Sequence, residues 1–296
     1  MPTSETTTAG YHAATIVAHE PIAEATWRLR VDCPPLAAAA RPGQFAMVRI
    51  PGRQDPLLAR PLAVYDAFGP LADPGCWLPQ TRAEPADSLR YADFVYAVAG
   101  KFTTAATSLQ AGDPLMVWGP LGNGFGLPEA DHLMLVAGGI GQTALLMLGR
   151  RWLSQNPTGR VSFCWGARRG SLFGHTDDFR AAGMEVELAT LDGSAGTRGT
   201  VIDLLDSLQQ QGQISASHRL AIACCGPEGM MAAVAGWAAA RSIDCQVSME
   251  TPMACGVGIC FSCVAPVRDD QGGWDYRRTC VEGPVFDGNA IDWQQI

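Results

Sequence analysis

The sequence has little of the positive charge that nucleic acids and anionic membranes attract. Only 17% of its 296 residues are charged, acidic residues outnumber basic ones by 29 to 21, and the formal net charge is −8. No stretch is rich in lysine or arginine. We therefore expect neither a nucleic acid nor a membrane surface as partner.

Long uninterrupted hydrophobic runs are also missing. The most apolar window, residues 133–149, is broken by three glycines and a glutamine, so it predicts a strand, a turn and a helix instead of a membrane span. The start of the chain, MPTSETTTAG, has neither a basic segment nor an apolar run, which favours a short disordered tail over a signal peptide. The five histidines are dispersed and suggest no metal site. A soluble cytoplasmic protein is the default expectation.

The first part of the chain predicts a β-barrel. Residues 11–128 contain short strand-like segments, punctuated by Gly and Pro, which is typical of an antiparallel barrel. The six predicted strands are 11–19, 25–31, 45–50, 60–65, 94–98 and 114–118. The long segment 66–93, rich in Pro, Gly, Asp and Ala, predicts a loop that is either functional or poorly ordered.

The second part predicts an α/β domain, because strands and helices alternate four times. Strand-like segments at 133–137, 161–165, 186–190 and 220–224 precede helical segments at 142–152, 175–182, 201–210 and 228–241. The fold class is therefore multi-domain β and α/β, with a doubly wound parallel sheet. The expected division is a tail at 1–10, a barrel at 11–128, the α/β domain at 129–245, and a small module at 246–296 with a terminal strand or turn near 283–291.

Four cysteines near the C-terminus carry the strongest chemical signal. The spacing is Cys255-x4-Cys260-x2-Cys263-x16-Cys280, which is the plant-type spacing for a 2Fe–2S cluster. The intervening glycines let backbone N–H groups approach the sulfurs. Structural zinc is the alternative, but zinc sites usually combine two separated C-x2-C pairs, and disulfides are a weaker alternative. The other six cysteines (Cys33, Cys76, Cys164, Cys224, Cys225 and Cys245) predict small buried hydrophobes in a reducing compartment.

A glycine-rich turn at the first β–α junction is a candidate phosphate cradle. Gly138, Gly139 and Gly141 let the backbone approach a pyrophosphate, and a following helix would present free N–H groups. The turn lacks the G-x-G-x-x-G fingerprint, so a packing turn is the alternative.

Two further turns are candidate binding elements. Cys225, Gly226 and Pro227 follow a later strand at the same sheet edge, where open α/β sheets bind ligands. An ordinary β–α turn is the alternative. The glycine-rich loop 119–125 predicts either a plain turn or a backbone cradle for a flat ligand.

The predicted barrel offers two phosphate contacts. Arg60 opens a strand, where its guanidinium could pair with a phosphate or remain solvated. Gly100, Lys101, Thr103 and Thr104 open a short helix, where the threonines could cap the helix or bond a phosphate.

Together these residues resemble the ferredoxin–NADP reductase superfamily. Within it, the four-cysteine module makes the chain similar to the electron-transfer subunits of B-type dihydroorotate dehydrogenases. The resemblance covers nearly the whole chain after the tail. Its most specific parts are the loop 119–125, the cysteine block 255–263 and the segment 280–287.

The resemblance implies a set of cofactor-binding residues. FAD would be bound by the Arg-Pro motif and the strand after it, and its pyrophosphate by the short helix; the nicotinamide nucleotide would be bound at the two sheet-edge turns. The flavin set is Arg60, Pro61, Leu62, Ala63 and Val64; the pyrophosphate set is Gly100, Lys101, Thr103 and Thr104; the nucleotide set is Gly138, Gly139, Gly141, Gly226 and Pro227. Cys225 would stand near the nicotinamide as the catalytic residue, and Cys255, Cys260, Cys263 and Cys280 would bind the cluster.

Three features depart from the family pattern. Ala63 stands where the family normally has Ser or Thr. The hydroxyl that the family places near the flavin is therefore missing, which affects the expected reaction of the flavin with the nicotinamide. Gln142, Thr143 and Ala144 replace a frequent Ala-Pro pair. The 66–93 loop is longer than expected.

The function that the resemblance implies is an electron relay. Electrons from dihydroorotate would leave the FMN of a partner catalytic subunit, pass through the 2Fe–2S cluster and FAD, and reduce NAD⁺ in pyrimidine biosynthesis. The expected assembly is a heterotetramer with two copies of each subunit. NADH is the family expectation, although Arg168 and Arg169 could meet a 2′-phosphate. Glu250 and Asp192 are possible cofactor contacts, or plain solvated carboxylates.

Two other functions use the same modules. One is a reductase subunit that serves an oxygenase, a hydrogenase or a ferredoxin:NAD(P) system. The other is a non-catalytic regulatory protein that carries the cluster or zinc.

Overall fold

The computed structural model describes residues 9–71, 73–75, 85, 88–214, 219–269 and 271–296. Residues 1–8 of the predicted tail lie outside the described residues, as do Cys76 and the other residues of the predicted 66–93 loop at 72, 77–84, 86 and 87. The described chain contains a barrel, a seven-stranded sheet and a two-stranded sheet.

The first sheet is a closed barrel whose strand order is β1-β2-β5-β4-β3-β6. All neighbours pair antiparallel, so the predicted barrel is confirmed. The elements are β1 (Gly10–Ala23), β2 (Thr26–Asp32), α1 (Pro34–Ala39), β3 (Phe45–Arg49), β4 (Arg60–Phe68), β5 (Tyr91–Ala97), α2 (Lys101–Ala106) and β6 (Pro114–Leu121).

The predicted bounds of the long loop were wrong at both ends. β4 continues to Phe68 and β5 starts at Tyr91. Asp66 and Asp93 are therefore strand residues, and both are buried. An aspartate within a sequence pattern favours the prediction of a loop. Here, however, arginines from other elements of the fold pair with both Asp66 and Asp93.

The second sheet is mostly parallel, and helices connect its strands. Its elements are β7 (His132–Gly138), a 3-10 helix (Gly139–Ala144), α3 (Leu146–Gln155), β8 (Arg160–Ala167), a 3-10 turn (Gly170–Leu172), α4 (Thr176–Ala181), β9 (Glu185–Thr190), β10 (Thr197–Arg198), α5 (Val201–Gln210), β11 (Leu220–Cys225), α6 (Glu228–Ala239) and β12 (Asp244–Ser248). The predicted helix 142–152 is corrected here. Its first turns are 3-10, because Gly139 has φ +53° and breaks α-helical geometry.

The C-terminal module is joined to the second sheet at both of its ends. It contains β13 (Val264–Arg268), β14 (Trp274–Arg278) and β15 (Val285–Asp287). β15 pairs antiparallel with β12 and completes the order β10-β9-β8-β7-β11-β12-β15. The predicted boundary between residues 245 and 246 falls inside β12, so the module begins after Ser248. The terminal strand predicted near 283–291 is present.

A buried ion network joins the barrel to the α/β domain. Arg28 of β2 donates to Asp93 of β5 at 2.6 Å and to Asp178 of α4 at 2.8 Å. Arg30 donates to the other oxygen of Asp93 at 2.8 Å, and the Tyr65 hydroxyl donates to Asp178 at 2.8 Å. All five side chains are at most 4% exposed. Arg28 therefore neutralises carboxylates from both domains at once.

A second buried ion pair crosses the same junction. Arg150 of α3 donates to Asp66 of β4 at 2.8 Å and to the carbonyl oxygen of Ala67 at 3.3 Å. Burial raises the pKa of Asp66 to about 6, although Arg150 opposes this shift. The two domains therefore meet through matched charges as well as through apolar packing.

We predict that Arg28→Met lowers the free energy of unfolding by about 3–5 kcal/mol, because it leaves buried Asp178 without its arginine and buried Asp93 with Arg30 alone. Urea denaturation would measure the change. Arg180→Met is the matched control, since its ion pair with Asp177 within α4 is exposed and should contribute nothing measurable. Equal stability of the two variants would contradict a structural role for the network.

Candidate functional site

A cleft of about 600 Å³ lies where the barrel, the α/β domain and the C-terminal module meet. The barrel contributes β4 and β5, the α/β domain contributes its 3-10 helix and Cys225, and the segment after β12 closes the third side. The lining includes Phe45, Arg60, Pro61, Leu62, Ala63, Tyr96, Thr103, Ile140, Thr143, Cys225, Ser248, Glu250, Thr251 and Met253. Most of these side chains are apolar, which suits a flat aromatic ligand.

Arg60 supplies the cleft with a cation. Its Nη1 atom donates to the carbonyl oxygens of Leu58 and Ala59, at 3.3 and 3.0 Å. Within the described residues no carboxylate lies within ion-pair distance of Arg60, so its charge is not neutralised by the protein. A phosphate group fits this position, because the remaining N–H groups of the guanidinium can donate to it.

The strand after Arg60 lines the cleft only in part. Pro61, Leu62 and Ala63 border the cleft as predicted. Val64 is 1% exposed and packs inside the barrel core with Phe94, so its side chain does not line the cleft.

The short helix α2 differs from its predicted role. The Thr103 hydroxyl accepts hydrogen bonds from the N–H groups of Ala99 and Gly100, at 2.9 and 3.0 Å, and donates to the Gly100 carbonyl oxygen. The hydroxyl therefore caps the helix, which was one of the two expectations. Lys101 is exposed and forms an ion pair with Asp55 at 2.8 Å. Gly100 and Thr104 lie beside them without lining the cleft.

The two predicted sheet-edge turns pack directly against each other. A Cβ atom on Gly141 would lie 2.3 Å from the Cys225 carbonyl oxygen. A Cβ atom on Gly138 would lie 2.7 Å from Pro227, and one on Gly226 would lie 2.8 Å from the Gly138 nitrogen. These glycines are thus required by packing, which was the alternative interpretation. Gly139 differs, since nothing lies within 4 Å of its Cβ position, so a ligand can approach there.

Cys225 forms the floor of the cleft together with Ser248 and Glu250. The thiol is 2% exposed. Burial raises its pKa, Glu250 raises it further, and a hydrogen bond with the Ser248 side chain opposes the shift. The Cys225 thiol is therefore neutral at physiological pH, a small polarizable surface against which a planar ring can lie.

Glu250 belongs to the cleft, whereas Asp192 does not. Burial raises the pKa of the Glu250 carboxyl, although the residue stays exposed to solvent on the cleft wall. Its role as a cofactor contact stays a prediction. Asp192 accepts hydrogen bonds from the N–H and hydroxyl of Ser194 in an exposed turn, at 2.9 and 2.6 Å.

Sequence reasoning missed Thr143 as a site residue. It was noted only as a departure from the family pattern, yet it lines the cleft with a hydroxyl that has no hydrogen bond to another described side chain or backbone group. The other cleft hydroxyls bond to protein groups: Tyr96 to His19, Thr103 to its helix, Ser248 to Cys225, and Thr251 to Thr279. Thr143 could therefore supply, from the α/β-domain side of the cleft, the hydroxyl that Ala63 lacks on the barrel side.

The glycine-rich loop 119–125 holds the C-terminal segment of the same chain. Asn123 donates to the carbonyl oxygens of Glu282 and Val285 and accepts from the Val285 N–H, at 3.1, 2.8 and 2.9 Å. A Cβ atom on Gly122 would lie 2.5 Å from Pro284. The loop is thus a cradle for protein, a role that neither the plain turn nor the cradle for a flat ligand had anticipated.

The four cysteines of the C-terminal module lie close together. Cys260 interacts with Cys255, and Cys280 interacts with both Cys263 and Cys255. Four thiolates at this spacing would hold the two irons of a 2Fe–2S cluster.

The loop around the cysteines favours thiolates. Hydrogen bonds from the Ser262 side chain and backbone, and then from Cys255, lower the pKa of Cys260 to about 6. The Val257 N–H donates to the Cys255 sulfur at 3.4 Å. Cys263 and Cys280 are buried, and burial raises the pKa of Cys280 to about 12. A bound cluster would therefore be held by Cys260, which ionises readily, and by Cys280, which would release a proton on binding the metal.

The cleft and the cysteine quartet share one wall. Phe45 and Met253 line the cleft and also pack with Cys263 and Cys280 in one apolar cluster. The segment from Ser248 to Met253 borders the cleft and continues directly into the cysteine loop. Groups bound at the two places would be separated by little more than these side chains.

The remaining predicted contacts lie farther away. Of the two arginines after β8, Arg169 forms an ion pair with Glu24 between β1 and β2, and its Nε donates to that carboxylate at 2.9 Å. Arg168 is exposed. Among the nine described cysteines no disulfide occurs, and the five outside the quartet are buried, as predicted.

Sequence comparisons add relatives of known type. A family model for the iron–sulfur cluster binding domain of dihydroorotate dehydrogenase B matches residues 250–292. The chain is 31% identical over 285 residues to the dihydroorotate dehydrogenase B (NAD(+)) electron transfer subunit of Bacillus caldolyticus, covering 95% of this chain and 98% of that one. The corresponding subunit of Geobacillus thermodenitrificans is 33% identical with the same coverage.

Solved structures share the architecture. An NADH-dependent reduced ferredoxin-NADP oxidoreductase matches with a TM-score of 0.76 and 26% identity, covering 95% of this chain and 90% of the other. Phthalate dioxygenase reductase, a modular protein for electron transfer from pyridine nucleotides to [2Fe-2S], matches with a TM-score of 0.57 over 95% of this chain and 96% of its own. At 16% identity the second match indicates the fold alone.

We predict that Gly141→Ala destabilises the protein by about 1–3 kcal/mol, because the added methyl group collides with the Cys225 backbone. Thermal unfolding would measure the change. Gly236→Ala in α6 is the control, since nothing lies within 4 Å of its Cβ position and alanine favours the helix. A Gly141 variant as stable as this control would show that the turns do not depend on their contact.

Proposed function

The chain belongs to the family of dihydroorotate dehydrogenase B electron transfer subunits, and from that premise we propose that it relays electrons from a partner's FMN through a 2Fe–2S cluster and FAD to NAD⁺. The reaction served is the oxidation of dihydroorotate to orotate. The observation that carries this proposal is the wall shared by the cleft and the cysteine quartet, where Phe45 and Met253 contact both.

The bound groups would divide the chemistry among them. A 2Fe–2S cluster exchanges single electrons, nicotinamide exchanges a hydride, and a flavin can do both. Cys255, Cys260, Cys263 and Cys280 would bind the cluster. Pro61, Leu62 and Ala63 would border the flavin ring, and Arg60 would neutralise its pyrophosphate.

The residues of the cleft would then orient the two rings and exclude water. Cys225 offers a neutral, buried thiol and Glu250 a carboxyl of raised pKa. Gly139 leaves open space for the nucleotide at the sheet edge. Arg169 is occupied by Glu24, so one of the two arginines that could bind a 2′-phosphate is withdrawn, which supports NAD over NADP.

The cysteine loop carries the proposed docking surface for the FMN-containing catalytic subunit. Ile259 is 79% exposed and Phe261 64%, and both lie between cluster ligands. Val257, Val281 and Tyr11 extend the apolar surface beside the loop. A continuous exposed apolar surface of this kind is typical of protein contact sites. We propose a heterotetramer with two copies of each subunit.

The proposed compartment is the cytoplasm. Free thiols throughout the described chain are consistent with reducing conditions. In the part of the chain that the structure covers, no helix is both long enough and apolar enough to cross a bilayer.

We predict that Ile259→Asp weakens assembly with the catalytic subunit at least tenfold, since a buried charge would replace an apolar contact. Native mass spectrometry and titration calorimetry would measure assembly. Leu191→Asp is the control, because Leu191 is 54% exposed on the α/β domain. Iron content should match wild type in both variants. Undiminished assembly of the Ile259 variant would refute this docking surface.

We predict that the anaerobically purified protein contains FAD, iron and acid-labile sulfide, and that with its partner it reduces NAD⁺ when dihydroorotate is added. Cys260→Ser should lose the cluster and this activity but keep FAD. Cys33→Ser is the control, because Cys33 precedes α1 and serine is a good helix cap. Absorption, metal analysis and electron paramagnetic resonance would follow each component. A colourless protein with stoichiometric zinc would disprove the relay.

The similarity to the ferredoxin-NADP oxidoreductase structure supports a second candidate, a subunit of a ferredoxin-linked reductase. The same assay separates the two functions. Reduction of NAD⁺ by reduced ferredoxin without a response to dihydroorotate would favour the second.

A further inference from the structure

Two threonines connect the cleft to the cysteine quartet. Thr251 lines the cleft one residue after Glu250. Its hydroxyl oxygen lies 2.5 Å from that of Thr279, which is fully buried and directly precedes Cys280. The two residues come from different segments, one leaving β12 and the other following β14, so only the folded chain brings them together.

The hydrogen bonds of Thr279 point to the cluster ligands. Its N–H donates to the Cys263 carbonyl oxygen at 2.7 Å, and its hydroxyl donates to the same oxygen at 3.3 Å. Because a hydroxyl has one proton, the Thr251 hydroxyl must donate to Thr279. The chain of donors therefore runs from the cleft through Thr251 and Thr279 to the backbone of Cys263.

We propose that the Thr251–Thr279 pair is a hydrogen-bonded bridge that positions the Cys263–Cys280 side of the cluster against the flavin cleft. This inference rests on the proposed function. The bridge reaches Cys280 through one peptide bond, whereas the backbone path from Thr251 to Cys255 passes through three intervening residues. It is the shorter of the two connections and ties the buried ligand pair to the cleft wall.

The bridge changes no bonds during turnover. An electron that passed from a bound cluster to a bound flavin would oxidise the one and reduce the other, and the protons of the two hydroxyls would stay in place. Thr251 and Thr279 are thus positioning residues. Groups that orient metal ligands in this way typically affect metal retention or activity by about 10–100-fold when removed.

We predict that Thr279→Val, which keeps the shape of the side chain, accelerates loss of iron to a chelator about tenfold. It should also shift the paramagnetic resonance spectrum of the reduced cluster and slow its reduction by NADH in stopped-flow experiments. Thr251→Val should have a similar effect, and the double variant should add little to either single one. FAD content should stay at the wild-type level.

Two controls make this test specific. Thr279→Ser keeps the hydroxyl and should release iron at the wild-type rate. This variant tests the bridge even if the valine variant folds poorly. Thr26→Val removes a hydroxyl that bonds only the Glu24 carbonyl oxygen and should change nothing. Valine variants that contain iron and match wild type in iron release and spectrum would refute the proposed bridge and leave the proposed function unaffected. Absence of iron and sulfide from the wild-type protein would overturn the proposed function and the bridge with it.

Discussion

The structure depends above all on the charge balance buried between the barrel and the α/β domain. Arg28 neutralises Asp93 from its own sheet and Asp178 from α4, while Arg150 reaches back from α3 to Asp66. Buried charges are costly unless they are paired in good geometry. Each domain would therefore keep unpaired buried charges if the other domain were absent. The cleft lies at this junction, and its walls come from both sides. A fixed domain orientation is therefore a condition for any site that two domains share.

The C-terminal module is attached by backbone contacts as well as by apolar packing, since Ala265 and Ile291 belong to a core cluster of the α/β domain. Asn123 bonds three backbone groups of the 282–285 segment, and β15 extends the sheet beside β12. Glycines at positions 122 and 256 allow close approach where a side chain would collide with Pro284 or Met47. This attachment brings the cysteine quartet to the same wall that closes the cleft. Geometry of this kind suits electron transfer, which requires proximity and rigid placement more than acid–base chemistry.

Much of this could be predicted from local signals. The six barrel strands, the alternating strands and helices, and the family were all anticipated and are confirmed. Errors arose where a residue's partner was distant in sequence. Asp66 and Asp93 looked like loop residues because Arg150, Arg28 and Arg30 could not be foreseen as neighbours. The 119–125 loop looked like a ligand cradle because its true occupant follows more than 150 residues later.

The sequence alone determined the chemical inventory of the protein, because cysteine spacing, strand periodicity and glycine-rich turns are encoded within short segments. Tertiary structure decided which of these groups face the cleft. Val64 packs in the barrel core, the Thr103 hydroxyl caps its own helix, and Glu250 enters the cleft although nothing in its local sequence marks it. Thr251 and Thr279 meet only through folding. Burial and hydrogen-bond partners are properties of contacts between distant segments, and a linear pattern does not contain them.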